Sequence, residues 1–98
     1  MSKKVPAYLE IDAERVVVKL STPSEANGIK VDKLVMRAPT VRDVRAAAAT
    51  SNGDDEVREL QLFSSLTEVG VKDLEGFTMK DYTRLQAGYF RLVQDDEL

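Results

Sequence analysis

The stretch Met36-Arg37-Ala38-Pro39-Thr40-Val41-Arg42-Asp43 decides how the chain is read. Val35 and Met36 end a run of β-branched and apolar residues, and strand chemistry stops here. Ala38 precedes a proline, which disfavours helical backbone at that position. Pro39 has no N–H to give to a sheet, so pairing ends with it. Thr40 and Asp43 then spell T-x-x-D, the capping-box pattern. The threonine oxygen accepts a backbone N–H of the first turn, and the carboxylate sits near the positive helix end. The residues before this junction read as β structure and those after it as helix.

On the N-terminal side, residues 14–20 (Glu-Arg-Val-Val-Val-Lys-Leu) read as a strand, with Val16, Val18 and Leu20 on one face. Pro23 and the Asn27-Gly28 pair follow, and Asn-Gly is a strong turn signal because both residues tolerate positive φ. Ile29–Met36 reads as a second strand. Its alternation slips between Val31 and Leu34, which a bulge near Asp32-Lys33 would reconcile. The expected product is an antiparallel hairpin with a long connection over 21–28. Ala7–Ile11 fits either a short edge strand, with Leu9 and Ile11 on one face, or a loose arm over 1–13.

On the C-terminal side three helices are expected. The first spans Val41–Thr50, with Val41, Val44, Ala47 and Ala48 on one face. The second runs from about 55 to 69, with Asp54 as N-cap and Gly70 as its stop. Its apolar residues Leu60, Leu62, Phe63, Leu66 and Val69 cover nearly half the circumference, wider than one core stripe. Either its own chain packs it on two sides, or one side is left for a partner. Residues 71–77 read as a linker tethered by Leu74 and Phe77. Thr78-x-x-Asp81 is a second capping box opening a third helix, Met79 to about Val93. Met79, Tyr82, Leu85, Tyr89, Leu92 and Val93 form its apolar face, and Lys80, Arg84 and Arg91 a solvated one. The expectation is therefore an α+β fold: a hairpin with room for a third short strand, then three helices. It forms a single domain over 14–93, with an acidic tail at 94–98.

Composition removes several kinds of function. The 98 residues contain no cysteine, histidine or tryptophan. Disulfides and thiol nucleophiles are impossible, and the commonest general base and transition-metal ligand is missing. No Gly-rich phosphate loop and no HExxH occurs. Asp54-Asp55-Glu56 lacks calcium-loop spacing and reads as a helix start. Neither an enzyme nor a cofactor is expected. The start, MSKKVPAYLEID, has no apolar core like that of a signal peptide, and no run is long enough to span a membrane. An intracellular protein is the simplest expectation. The net charge of −3 is uneven: residues 1–45 hold nine Lys/Arg and six Asp/Glu, residues 46–98 five and eleven. The acidic total argues against a nucleic-acid partner through Arg37, Arg42 and Arg45.

Taken in order, the residues resemble a known family. The order is Leu20-x-x-Pro23, Asn27-Gly28, Met36-Arg37-x-Pro39-Thr40-x-x-Asp43, Ala46-Ala47, Gly53-Asp54-Asp55, a Leu-rich helix, and Asp81-Tyr82-x-x-Leu85. It resembles the tail assembly chaperones of Mu-like and other contractile-tailed phages, over about residues 14–93. The resemblance implies a protein of the infected bacterial cytoplasm, absent from the finished virion. It would bind the long helical tape measure protein and keep it soluble while tail-tube subunits assemble. The tail tube protein is a second candidate partner and self-association a third. The alternative is a small phage-type protein that inhibits a host factor. Leu62, Phe63, Leu66 and Val69, with Arg37, are the candidate partner-binding residues, expected to stay partly exposed or to line an oligomer interface. Pro39, Thr40, Asp43, Asn27, Gly28, Thr78 and Asp81 read as structural, and Arg37 either pairs with Asp43 or stands free as a contact.

Overall fold

The computed structural model describes residues 5–94. Three antiparallel strands form one sheet in the order β1-β2-β3: β1 is Leu9–Ile11, β2 Arg15–Ala26 and β3 Ile29–Arg37. Four helices follow: α1 Val41–Thr50, α2 Asp55–Thr67, α3 Val71–Glu75 and α4 Met79–Val93. The α+β class and the third short strand are as the sequence indicates. The supposed linker over 71–77 contains α3, whose Leu74 is buried. Of the acidic tail expected over 94–98, all but Gln94 lies outside the described residues.

The hairpin differs from the expectation in an informative way. There is no long connection: β2 continues to Ala26, which pairs with Ile29 across Asn27 and Gly28. Both turn residues have positive φ, 55° and 83°, as a tight two-residue hairpin turn demands. The irregularity lies opposite Asp32, but the extra residues are on the other strand. Lys19 pairs with Lys33 and Ser24 with Val31, so Leu20–Pro23 face a single residue of β3. Pro23 is tolerated within β2 because a bulge does not ask it for a ladder hydrogen bond.

The core lies between the sheet and the helices. Val16, Val18, Leu34 and Met36 point from the sheet toward Leu62, Phe63, Leu66 and Leu85. Burying one such side chain contributes roughly 1.5–3 kcal/mol. Contacts place α4 over β1 and β2, and α2 over β3. Phe63 lies between them, its ring 5.6 Å from Tyr82 and 5.4 Å from Tyr89. At Gly88 α4 comes so close to the sheet that an added Cβ would stand 3.1 Å from Val18 and 3.2 Å from Val16. Of the apolar face expected for α1, only Ala47 is buried; Val44 is half-buried and Val41 exposed. That helix packs chiefly on α2.

Candidate partner-binding site

The two T-x-x-D sequences build different junctions. At the first, Thr40 Oγ1 accepts the Asp43 N–H and Asp43 Oδ2 accepts the Thr40 N–H, the reciprocal capping box. Arg37 closes on the same carboxylate with two hydrogen bonds, Nη1–Oδ2 2.7 Å and Nη2–Oδ1 3.0 Å. The Arg37 hydrogen bonds, helped by Thr40, hold the Asp43 carboxyl well below the usual range. Arg37 is thus paired rather than free, and the pairing fixes how α1 leaves β3.

At the second, Thr78 Oγ1 accepts the Asp81 N–H, but the carboxylate turns elsewhere. Asp81 is fully buried. Its Oδ1 accepts the Ser21 N–H at 2.7 Å and its Oδ2 the Thr22 N–H at 3.3 Å. These are donors of the β2 bulge, where extra residues have no place in the ladder. A buried orphan N–H costs about 1–3 kcal/mol, and Asp81 removes that cost. Burial pushes its carboxyl pKa up, but the Ser21 and Thr22 hydrogen bonds and the nearby Arg84 outweigh this and hold it below normal. One turn later Arg84 donates to the Lys19 carbonyl and lies over the Tyr8 ring, 4.4 Å from its centre. The sequence puts Arg84 on a solvated stripe; the structure makes it half-buried, pinned to the bulge.

The hairpin tip is fastened similarly. The Asn27 N–H donates to Asp73 Oδ2, and Asn27 Nδ2 donates to the Glu68 carbonyl. Glu68 caps α2 with φ 61°, in the left-handed region where Gly70 was expected to act.

The expected partner-binding face of α2 is not on the surface. Leu62, Phe63, Leu66 and Val69 are exposed by only 5, 0, 2 and 3%. The expectation that they stay partly exposed fails, because the chain covers α2 on both flanks of its apolar arc. β3, α1 and α3 all contact α2, and Phe63 packs on Tyr82 and Tyr89 of α4.

Apolar surface is open elsewhere. Glu56 and Leu60 of α2, Leu74 and Glu75 of α3, Phe77, and Met79 and Tyr82 of α4 line a cavity of about 180 Å³. Leu74 and Phe77 are buried in its floor, while Met79 is 72% exposed on its lip. Beside it, Glu59 Oε1 accepts from Tyr82 Oη at 2.8 Å and from Gln86 Nε2 at 2.9 Å, tying α2 to α4. Burial, reinforced by Glu59, raises the Tyr82 phenol far above its ordinary pKa, so it remains a neutral donor. Sequence reasoning missed this groove because its residues come from three elements and from a segment read as a linker.

Among the described residues no group of three or more acidic side chains is placed to hold a metal ion. No helix there is long and apolar enough to cross a membrane. Residues 17–94 match the family described as "Phage tail assembly chaperone proteins, E, or 41 or 14", and the chain belongs to that family. It is a chaperone of phage tail assembly, and its family points to a non-enzymatic role in the infected cell. No curated protein and no solved structure matches the chain.

Proposed function

We propose that the protein binds the tape measure protein of its phage and keeps that long helical chain soluble while the tail tube assembles around it. The client is then released to the tube, and the chaperone stays in the cytoplasm of the host rather than entering the virion. Family membership over residues 17–94 carries this reading. The structure supplies a compatible surface. A chaperone of this kind needs reversible apolar contact, and the groove offers the exposed Met79 and the half-buried Leu60 without opening the core. Leu62, Phe63, Leu66 and Val69 act from below, holding α2 in place as one wall of the groove.

Co-expression tests the proposal. The tape measure protein is produced alone and with this chain, and its soluble fraction is measured after lysis. The expected result is a several-fold rise in soluble tape measure protein that co-purifies with the chain. An unchanged soluble fraction with no co-purification would overturn it.

A further inference from the structure

The sheet ends on an open strand. β3 lies at one edge of the order β1-β2-β3, and among the described residues nothing pairs with its outer side. β1, at the other edge, has only three residues. β3 has nine and no proline, so it lacks two of the usual guards against pairing with another chain. It also carries uncovered apolar surface: Ile29 is 66% and Val35 46% exposed. Pro23, Lys30, Val31, Asp32 and Lys33 line an open depression beside the β2 bulge. Lys30, Asp32 and Lys33 are exposed, and among the described residues none of the three side chains has an ion-pair or hydrogen-bond partner.

We infer that a second copy of the chain pairs with this edge, antiparallel, about a two-fold axis at Val31. Such a contact sets each residue against the position equally far from the axis on the other copy, and side chains directly opposite share a face. In the register centred on Val31, Lys30 of each copy stands opposite Asp32 of the other, Val31 meets Val31, and Ile29 covers the stem of Lys33. Centring on Lys30, Asp32 or Lys33 sets a charge against its own copy, and centring on Val35 sets Lys33 against Arg37. Of the two-fold registers of β3, only the one at Val31 joins unlike charges. The backbone agrees with it. Ala26 and Ile29 close a two-residue turn, and Val31 pairs with Ser24. Alternation along the ladder then turns the N–H and C=O of Lys30 and Asp32 toward the open edge, where the same groups of the second copy stand.

Lysine at a sheet edge usually prevents pairing. It does so where lysine meets lysine; in this register it meets Asp32 instead. The exposed patches on the helices do not complement themselves in this way. Val41 stands beside Arg42 and Arg45, and the one acid of that helix, Asp43, is taken by Arg37. Phe90 has Arg91 beside it and no acid between residues 86 and 94. A patch of one sign repels its own copy, and joining it to a different patch makes open chains rather than a closed dimer. The β3 contact holds whichever client the chaperone takes.

Sedimentation of the full chain over a range of concentrations tests the contact. Wild type, Asp32→Lys, Lys30→Asp and the exchange Lys30→Asp/Asp32→Lys are compared, with Met79→Asp as a control, each checked for folding by circular dichroism. Wild type is expected to form a dimer that weakens with added salt. Each single variant sets like charges opposite each other twice and should weaken the dimer about tenfold. The two single variants mixed together should pair with each other, and the exchange should restore the wild-type dimer. Amide exchange of Lys30 and Asp32 in wild type should slow as concentration rises, and this carries the test if a single variant loses its fold. A chain that stays monomeric at every concentration would overturn the inference. So would a dimer that both single variants leave intact, or one that neither the mixture nor the exchange restores. A dimer that Met79→Asp abolishes would lie at the helices and overturn it too.

Discussion

Phe63 and Met79 are both large, apolar and helical, yet one is fully buried and the other 72% exposed. The regions they belong to differ in the same way. Between the sheet and the helices, apolar side chains interlock, and among the described residues every buried polar side-chain atom has a partner. At the corner of α2, α3 and α4, Met79 stands exposed at an open cavity that Glu56 and Glu75 also line. The interior specifies one structure. The corner leaves apolar surface uncovered, which costs solubility in an isolated protein and makes sense where a partner covers it. Apolar character alone therefore does not mark a binding surface; the deciding question is which side chains the chain itself manages to cover.

If this contrast is right, damage to the interior destabilises and damage to the corner does not. The largest effect belongs to Phe63→Ala, which removes the ring between α2 and α4. A cost of about 3–5 kcal/mol is expected, read as a large fall in the urea midpoint. A loss below about 1 kcal/mol would mean that the interior is looser than described.

Asp81→Ala comes next, because it strands the Ser21 and Thr22 N–H groups at the bulge. The expected cost is about 1–3 kcal/mol by denaturant titration. The same contact gives a pH signature. The folded-state pKa of Asp81 is lowered, as is that of Asp43. Their stabilisation is thus fully present above the ordinary carboxylate pKa of about 3.9 and is lost as pH falls through the lower folded values. Wild type should lose stability steeply below about pH 4, and Asp81→Asn should flatten that slope.

Met79→Asp should have the smallest effect on folding, within about 0.5 kcal/mol of wild type, because the side chain is exposed. A thermal melt showing strong destabilisation would erase the distinction between the two regions.

Local chemistry made half of this legible. The stop at Pro39, the cap at Thr40 and the turn at Asn27-Gly28 depend on neighbours in sequence, and each stands where the sequence places it. The two T-x-x-D motifs show where legibility ends. Both announce a helix start, and both threonines cap. The first carboxylate closes locally with Thr40 and Arg37, six residues back at most. The second serves N–H groups 60 and 59 residues away, at a bulge that does not exist until β2 pairs with β3. No local pattern encodes that contact. The apolar arc of α2 failed as a guide for the same reason. Its width was plain, but whether chain or solvent lay beside it depended on α1 and α3 packing back. The groove needed Leu74 and Phe77 folded as a floor, and a segment read as a linker gave no hint of one.

The most direct test of the division between interior and corner is a methyl NMR titration of the full chain with peptide fragments of the tape measure protein. The account predicts that the methyl signals of Met79, Leu60 and Leu74 shift with peptide while those of Val17 and Val35, on the bare sheet face, stay fixed. Shifts confined to Val17 and Val35, or to Val93 at the far end of α4, with Met79 unmoved, would contradict it.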